Sequence, residues 1–589
     1  MLTKNQFDIL VLLKKAPFKS QRNLSELSGL SLGLINKILK ELRETEYITP
    51  DNRLSPRGEQ ELSHYKVDNA IILAAGMSTR FVPISYEFPK GLTVVKGEVL
   101  IERQIRQLHE AGIQDVIVVV GHMLEKFFYL KEKYNVKLVV NNEYKTRNTH
   151  SSVYAARDYL KNTYICCSDN YYPNNLFRPY EYHSMYCAQF LEGESRTERG
   201  LITDKSGLII ATEKPCKDAW TMQGHAFLSA GFSNAFKKIL EDYYYRPGTE
   251  SLYWEGIYAE NLHLLPMYMV KYGPNDILEF DSVENLRAFD PEYIVHNDLQ
   301  VIRNICRILN AKPEQIQNIY PIQGGMTNKT CSFTFNGAQY VYRNPGQSTT
   351  GYIDREREKF ALKVAKGLGL DKSYIHQDEK SGWKISHYIN VTEPFDFYNK
   401  EHLTKLCSHL HTLHNSRIRC GSEFDYYLEA DKLIDRIMIL DIWAAHDIIS
   451  LKNKILPIYE SIKGDNWPVQ LCHNDIYAPN LLISGDALFL IDWEYAGDSD
   501  IGYDLCKLFA AVDLPPDEID DALCVYFGRK PTLFEKRHIV GCAAVNYYYW
   551  YVWAVYQNRS GNDCSEWQLI WHTKLHKYIS EFLRLSRKD

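Results

Sequence analysis

At 589 residues the chain exceeds what one hydrophobic core organises, so roughly two to four domains are expected. Its 68 Lys+Arg nearly balance 74 Asp+Glu, which excludes a surface committed by net charge alone to nucleic acid or membrane. The 13 Cys show no paired CxxC spacing, and Cys166-Cys167 are adjacent in an apolar run, so reduced thiols in the cytoplasm are expected, not a disulfide framework. Met1 opens onto Lys4, Asn5 and Gln6, so no signal peptide is expected. Nothing reaches the roughly 18 consecutive apolar residues of a membrane span. In residues 1–66, Phe7, Ile9, Leu10, Leu12 and Leu13 predict a first helix. Asn23 or Ser25 caps a short second helix with Leu24 and Leu27 inward. Ser31 caps a third, with Leu34, Ile35, Ile38, Leu39 and Leu42 on its buried face and Asn36, Lys37 and Lys40 outward. The turn pair Asp51-Asn52 and the run Leu54–Gly58 read as a β-wing leading into a last helix.

This first module resembles the winged helix-turn-helix of bacterial antibiotic-resistance-type regulators. In that family the third helix would enter the major groove of DNA. The charge footprint is thin, ten Lys+Arg against eight Asp+Glu through His64. DNA binding and service as a dimerisation or sensor module both stay open, so DNA and a second copy of the chain are candidate partners.

Residues 67–291 read as a second domain. Ala70-Ile71-Ile72-Leu73 is a continuous apolar run, as in a buried parallel strand, and it feeds Ala74-Ala75-Gly76-Met77-Ser78-Thr79-Arg80. Small residues there let backbone approach a base and its phosphates, and Arg80 supplies charge. Pro89-Lys90 follows. Then come a helix (Ile101–Ala111), a strand (Val116–Val120), a helix (Glu125–Tyr134) and a strand (Lys137–Val140), the alternation of a doubly wound α/β domain. The strand Tyr164–Cys167 ends in Ser168-Asp169-Asn170, and Leu278-Glu279-Phe280-Asp281 presents a second Asp.

Loop, Arg80 and Lys90 together resemble the sugar-nucleotide and phosphocholine nucleotidyltransferases, with Ser78 in place of the usual second Gly. The resemblance implies a Rossmann-like nucleotidyltransferase, with Leu73, Ala75 and Gly76 at the nucleotide and Mg²⁺ held by Asp169 and Asp281. A phosphomonoester oxygen would attack the α-phosphorus in line, pyrophosphate would leave, and the metal and Lys90 would stabilise the developing charge, with Arg80 the other catalytic cation. The later stretch, polar at Gly193–Gly200 and aromatic at Trp220 and Tyr253-Trp254-Glu255, resembles the bacterial phosphocholine cytidylyltransferase branch, which implies CTP. A quaternary ammonium has no hydrogen to donate and is held by ring faces and nearby negative charge. Trp220, Trp254 and Glu255 are the candidates, the bland alternative being that both Trp rings are core or dimer contacts.

Tyr293–Leu299 reads as a short linker, and 292–589 as a third domain, with a small lobe at about 300–395 and a large one at about 396–589. Gly324-Gly325-Met326-Thr327-Asn328 is a turn between strands, placed to cover nucleotide phosphates; it is not a strand-to-helix Walker loop. Helices are expected at Glu401–His414 and Leu428–Ser450. Cys472-His473-Asn474-Asp475 then opens a catalytic loop reaching Asn480. A hairpin follows (Leu481–Ile483, turn Ser484-Gly485-Asp486, Ala487–Ile491), then Asp492-Trp493-Glu494. Asp475 can accept a proton from an attacking hydroxyl, and Asn480 and Asp492 are oxygen ligands able to hold Mg²⁺ against ATP phosphates.

The order His-x-Asp-x4-Asn, hairpin, Asp resembles the choline kinase and aminoglycoside phosphotransferase family, a two-lobed protein-kinase-like fold. By that resemblance Gly324, Gly325 and Asn328 cover ATP, Arg343 contacts its phosphates, and Glu358 pairs with Arg343. His473 and Asp504 would brace the loop. Trp550 and Trp553, three apart on an apolar helix, are candidates for a choline pocket. Together the halves suggest one chain that phosphorylates choline with ATP and converts phosphocholine and CTP to CDP-choline, with Mg²⁺ at both sites. Ethanolamine or another amino alcohol, or a DNA-binding regulator using catalytic folds as sensors, are the alternatives.

Overall fold

The computed structural model describes residues 2–322, 328–346 and 353–588. The turn residues Gly324 and Gly325 lie outside them. The chain is a multidomain α/β protein in two compact units, Met1–Asn304 and Ile305–Asp589. No helix among the described residues is long and apolar enough to cross a membrane.

The first unit opens with four helices, Lys4–Lys15, Gln21–Ser28, Leu32–Glu44 and Pro56–Ser63. Ser31 caps the third as expected, its hydroxyl accepting from Leu34 N–H. The second starts earlier than its sequence suggested. Ser20, two turns upstream of Gly29, is the cap; Leu27 lies on the surface, 58 % exposed, while Leu24 is buried. Ile48 and Leu54 form the single bridge of the wing. The helical module is seated on the sheet domain behind it. Phe7, Tyr65 and Tyr182 form a ring cluster with centroids 5.2–5.5 Å apart, and Tyr182 Oη donates to the Leu2 carbonyl at 2.6 Å.

The sheet has a parallel core, Lys137–Val140, Val116–Val120, Asn69–Ala74 and Thr163–Cys167 in spatial order. The long strand Cys216–Leu228 continues it antiparallel. Both faces are covered, which is why the central strand reads as unbroken apolar sequence. Ile71 and Leu73 pack with Phe232, Phe236 and Trp254 on one side, and Ala70 and Ile72 with Ile101, Ile105 and Leu108 on the other. The helix expected over Glu125–Tyr134 is broken into a 3₁₀ turn, Leu124–Phe127, and a short α-helix, Tyr129–Tyr134. Tyr293–Asn297, read as linker, is a helix of this unit. Asn297 exchanges two hydrogen bonds with Val94, and Asp290 accepts from Lys96 N–H.

In the second unit five antiparallel strands run in the order Gln317–Ile322, Lys329–Phe335, Ala338–Asn344, Lys384–His387, Tyr374–Gln377. The helix Arg355–Gly367 belongs to this lobe. The helix expected over Leu428–Ser450 is two, Tyr426–Leu440 and Ile442–Gly464. Asp441 sits extended between them, its carboxylate accepting from Trp443 and Ala444 N–H, so it caps a new helix instead of continuing the old one. The hairpin is Leu481–Ser484 with Ala487–Leu490, and Gly485 turns it at φ +57°. The helix Leu533–Arg559 is apolar all round and buried over most of its length, as its rings imply.

Candidate active sites

In the first unit the carboxyl ends of Asn69–Ala74 and Thr163–Cys167 open into a cavity of about 600 Å³. This is where an open α/β sheet binds ligands. Leu73, Ala75 and Gly76 line it with Ser78, which holds φ +48°. That is backbone glycine adopts freely and serine at a cost of about 1–2 kcal/mol. Gly91 has a positional role. A Cβ there would fall 2.7 Å from the Ser168 side chain, so only glycine lets the turn bearing Lys90 lie against the strand end bearing Asp169.

Lys90, Asp169 and Asp281 meet in this cavity, with Arg80 at its rim. Lys90 is nearly buried and its Nζ lies 2.8 Å from Asp169; Arg80 is exposed, 3.6 Å from Asp281. Burial works against the charge of Lys90, but Asp169, Glu279 and Asp281 outweigh it and hold the ammonium above its ordinary value. Glu279 was not foreseen as a site residue. Burial first, then the negative charge of Asp169, pushes its carboxyl up to about 8. Three carboxylates around one cavity, one kept protonated by its neighbours, are a donor set that a hard divalent cation fits and relieves. The signal was present in the sequence, since Glu279 stands two residues before Asp281.

The proposed onium residues fall differently. Trp254 is 1 % exposed, stacked on Tyr186 at 5.6 Å in the hydrophobic core, and does not reach the cavity. Trp220 also lies off the cavity wall, T-shaped against Phe190, and Lys271 Nζ covers its face at 4.7 Å. Trp254 is thus a core ring, and Trp220 packs partly buried at the edge of the same core. Glu255 is more informative. One carboxylate oxygen accepts from Tyr186 Oη at 3.0 Å; the other is buried without a partner. Burial raises its pKa to about 7. Its charge helps raise the thiol of Cys167, a cavity-lining residue, so it lies close behind the cavity floor. The aromatic residues on the wall itself are Tyr144 and Tyr253, beside Lys145 and Arg147.

In the second unit a cavity of about 410 Å³ is lined by Asp475, Asp492, Glu494, Asn328 and a wall of rings. The catalytic loop is braced from below. Asp504 accepts from His473 and Asn474 N–H at 3.0 and 2.8 Å. His473 Nδ1 accepts from Asp475 N–H, so Nε2 carries the proton and donates to the Ile491 carbonyl at 2.9 Å. His473 is therefore a brace and not an acid or base. Asn480 donates to the Asp475 carboxylate at 3.0 Å, which leaves its amide oxygen for a cation. Burial pushes Asp475 up to about 7, against the lowering field of Lys507. A base poised there suits proton abstraction from a hydroxyl.

Arg343 is the hub of the charged cluster. It pairs with Glu358 and Asp492 and lies 3.5 Å from Glu494. Glu358 also accepts from Arg355 at 2.8 Å and Gln377 at 2.7 Å. Asp492 is shared with Lys384 at 3.7 Å. Burial opposes the charge on Glu358 and Asp492, but Arg343 and Lys384 hold both below their ordinary values. Asn328 donates to Glu494 at 3.3 Å, which ties Asn328 to the turn that follows Asp492. Asn480 and Asp492 offer oxygen donors of the kind Mg²⁺ takes, and Glu494, unforeseen, adds a third whose carboxyl burial lifts to about 7.

Trp550 and Trp553 both line this cavity, centroids 5.8 Å apart. The next helix, Ser565–Ser586, adds Trp567 and Trp571, the latter 5.5 and 6.0 Å from the first pair. Their i, i+4 spacing was readable; their partnership was not. Two lysines, Lys507 and Lys574, complete the lining. No sequence pattern pointed to them.

Comparison with known proteins agrees with this division. Residues 2–49 match the winged helix-turn-helix DNA-binding family, 70–169 the MobA-like NTP transferase domain, and 319–515 the choline/ethanolamine kinase family. The chain is 35 % identical over 236 residues to 2-aminoethylphosphonate cytidylyltransferase of Lancefieldella rimae, covering 39 % of this chain and 96 % of that one. It is 34 % identical over 232 residues to choline-phosphate cytidylyltransferase of Streptococcus pneumoniae, covering 38 % and 96 %. The crystal structure of choline kinase LicA from Streptococcus pneumoniae matches 47 % of the chain and 97 % of that structure at 24 % identity, with a TM-score of 0.41.

Proposed function

We propose, for a chain that belongs to the MobA-like nucleotidyltransferases fused to a choline/ethanolamine kinase behind a winged helix-turn-helix, that its two sites catalyse consecutive steps on one amino alcohol. The kinase site phosphorylates the alcohol with ATP. The transferase site joins the resulting phosphomonoester to CMP from CTP and releases pyrophosphate. The carrying observation is the pairing on one chain of a base, Asp475, facing an aromatic acceptor pocket with a carboxylate-lined nucleotide cavity at a sheet's carboxyl edge.

Asp475 takes the proton of the attacking hydroxyl. Arg343 and Lys384 fix Asp492, which with Asn480 would hold a cation able to neutralise ATP phosphates. In the transferase, Lys90 would meet the charge that develops on the α-phosphate, and Asp169, Glu279 and Asp281 would hold Mg²⁺, whose charge would stabilise the phosphates. Arg80, exposed at the rim 3.6 Å from Asp281, would meet the charge of the leaving pyrophosphate. The transferase's relatives are named for phosphocholine and for 2-aminoethylphosphonate. A fused kinase favours the phosphomonoester, because a phosphonate carries its phosphorus on carbon and needs no phosphoryl transfer. Choline is the acceptor ring chemistry favours, through Trp550 and Trp553, with ethanolamine the alternative. The test is mass spectrometry of products from choline or ethanolamine with ATP, CTP and magnesium. A CDP-amino alcohol is expected; a phosphoalcohol without it would remove the transferase step, and neither product would remove both.

The exposed face of the third helix speaks against reading the protein as a DNA-binding regulator alone. Lys37 and Lys40 are each answered one turn on, by Glu41 and Glu44 at 3.9 and 3.8 Å, which leaves little charge for phosphates.

A further inference from the structure

In the transferase unit the helix Leu100–Glu110 buries two glutamines beside its apolar face, Gln104 at 0 % exposure and Gln107 at 4 %. Gln104 reaches the segment that carries Asp169. Its Nε2 donates to the Cys167 carbonyl at 2.9 Å and to the Asn170 carbonyl at 2.7 Å. An amide nitrogen has two hydrogens, one for each carbonyl, so a single side chain spans the turn at Ser168-Asp169. Both partners are acceptors, which fixes the nitrogen end of the amide. The other end, Oε1, is buried without a partner among the described residues. That costs stability, and a methionine of similar length would carry no such cost. What the nitrogen holds explains the residue type. Asn170 and Tyr171 pair antiparallel with Glu279 and Leu278, so the same turn also sets the strand that presents Glu279 and leads to Asp281. Gln107 and Arg103 grip the chain farther on. Gln107 donates to the Tyr172 carbonyl at 3.0 Å, and Arg103 to the Tyr172 and Pro173 carbonyls at 2.9 and 2.7 Å.

We propose that Gln104 is a positioning residue of CMP transfer. By pinning the carbonyls on both sides of Asp169 it aims that carboxylate, and through Asn170 and Tyr171 the strand bearing Glu279, at the part of the cavity where Mg²⁺ would be held. This rests on the transferase reading above and adds to it. A carboxylate free to swing no longer presents its oxygen together with those of Glu279 and Asp281. Loss of Gln104 therefore weakens the hold on the metal and the chemical step, and spares the walls that grip CTP.

The test measures pyrophosphate release by the full chain from CTP with phosphocholine or phosphoethanolamine, and hydrogen exchange of the same variants by mass spectrometry. Gln104→Met should lower kcat about 10–100-fold and raise the magnesium concentration for half-maximal rate about tenfold, with KM for CTP at saturating magnesium within about twofold of the natural value. Without metal or nucleotide, its amides at 168–171 and 278–279 should exchange about tenfold faster. Gln107→Met removes a glutamine from the same buried face. It should cost similar stability while keeping kcat and the exchange at 168–171. Gln104→Asn, still an amide but too short to span both carbonyls, should repeat the rate loss even if Gln104→Met does not fold. Equal effects of Gln104→Met and Gln107→Met on kcat and exchange would overturn the proposal, and so would natural kcat and exchange in either Gln104 variant. No CMP transfer by the natural protein to either phosphoalcohol would instead overturn the transferase reading, and this inference with it.

Discussion

Replacing Glu255 by Gln probes the transferase unit directly, because this buried carboxyl lies close behind the cavity floor and its proton is coupled to folding. The carboxylate is buried, bonded on one oxygen to Tyr186 and unpartnered on the other, and its pKa moves from 4.5 to about 7. The folded protein therefore holds a proton here that the unfolded chain releases above about pH 4.5. Stability from the neutral form is complete below that value and is lost as pH rises through about 7, by about 3 kcal/mol in all. Gln, neutral at every pH and of the same shape, carries no such loss. The melting temperature of Glu255→Gln should thus pull ahead of the natural protein between pH 5 and pH 8.5. At about 2 °C per kcal/mol for a unit this large, the gap widens by roughly 6 °C. Calorimetry of the full chain across that range reads it. The same variant should raise KM for the phosphorylated amino alcohol about tenfold and leave KM for CTP unchanged, if the carboxylate faces the substrate's ammonium. Parallel melting curves would refute the burial argument, and an unchanged KM the recognition role.

Asp475→Asn should lower the kinase rate about 10²–10⁴-fold and leave CMP transfer untouched, measured on the two half-reactions separately. Asp281→Asn should do the reverse, with CMP transfer weakened most at low magnesium. Arg343→Met strands Glu358 and Asp492 in a buried cluster, so unit two should lose about 3–5 kcal/mol and its kinase activity, seen as a lowered second calorimetric transition. Ser78→Gly relieves the left-handed backbone at φ +48° and should raise stability by about 0.5–1 kcal/mol, read by denaturant unfolding.

Local chemistry determined much of this protein. The unbroken run Ala70–Leu73 dictated a strand buried on both faces, and Ser31 a helix start. The spacing from His473 to Asp492 dictated a loop and hairpin that carry Asp475, Asn480 and Asp492. Each follows from backbone periodicity, capping or turn geometry within about twenty residues, so the sequence states it directly. What it left open was set by distance. Trp254, three residues from a turn and rich in ring surface, went to the core because Tyr186 and Phe236 offered a close-packed slot there. Glu279 and Glu494 acquired raised pKa values only from carboxylates and burial brought in by the fold. Lys507 and Trp571 share a cavity although two whole helices, Ile519–Phe527 and Leu533–Arg559, separate them along the chain. Electrostatic fields and packed walls sum over neighbours in space, and those neighbours become known only when the tertiary structure closes.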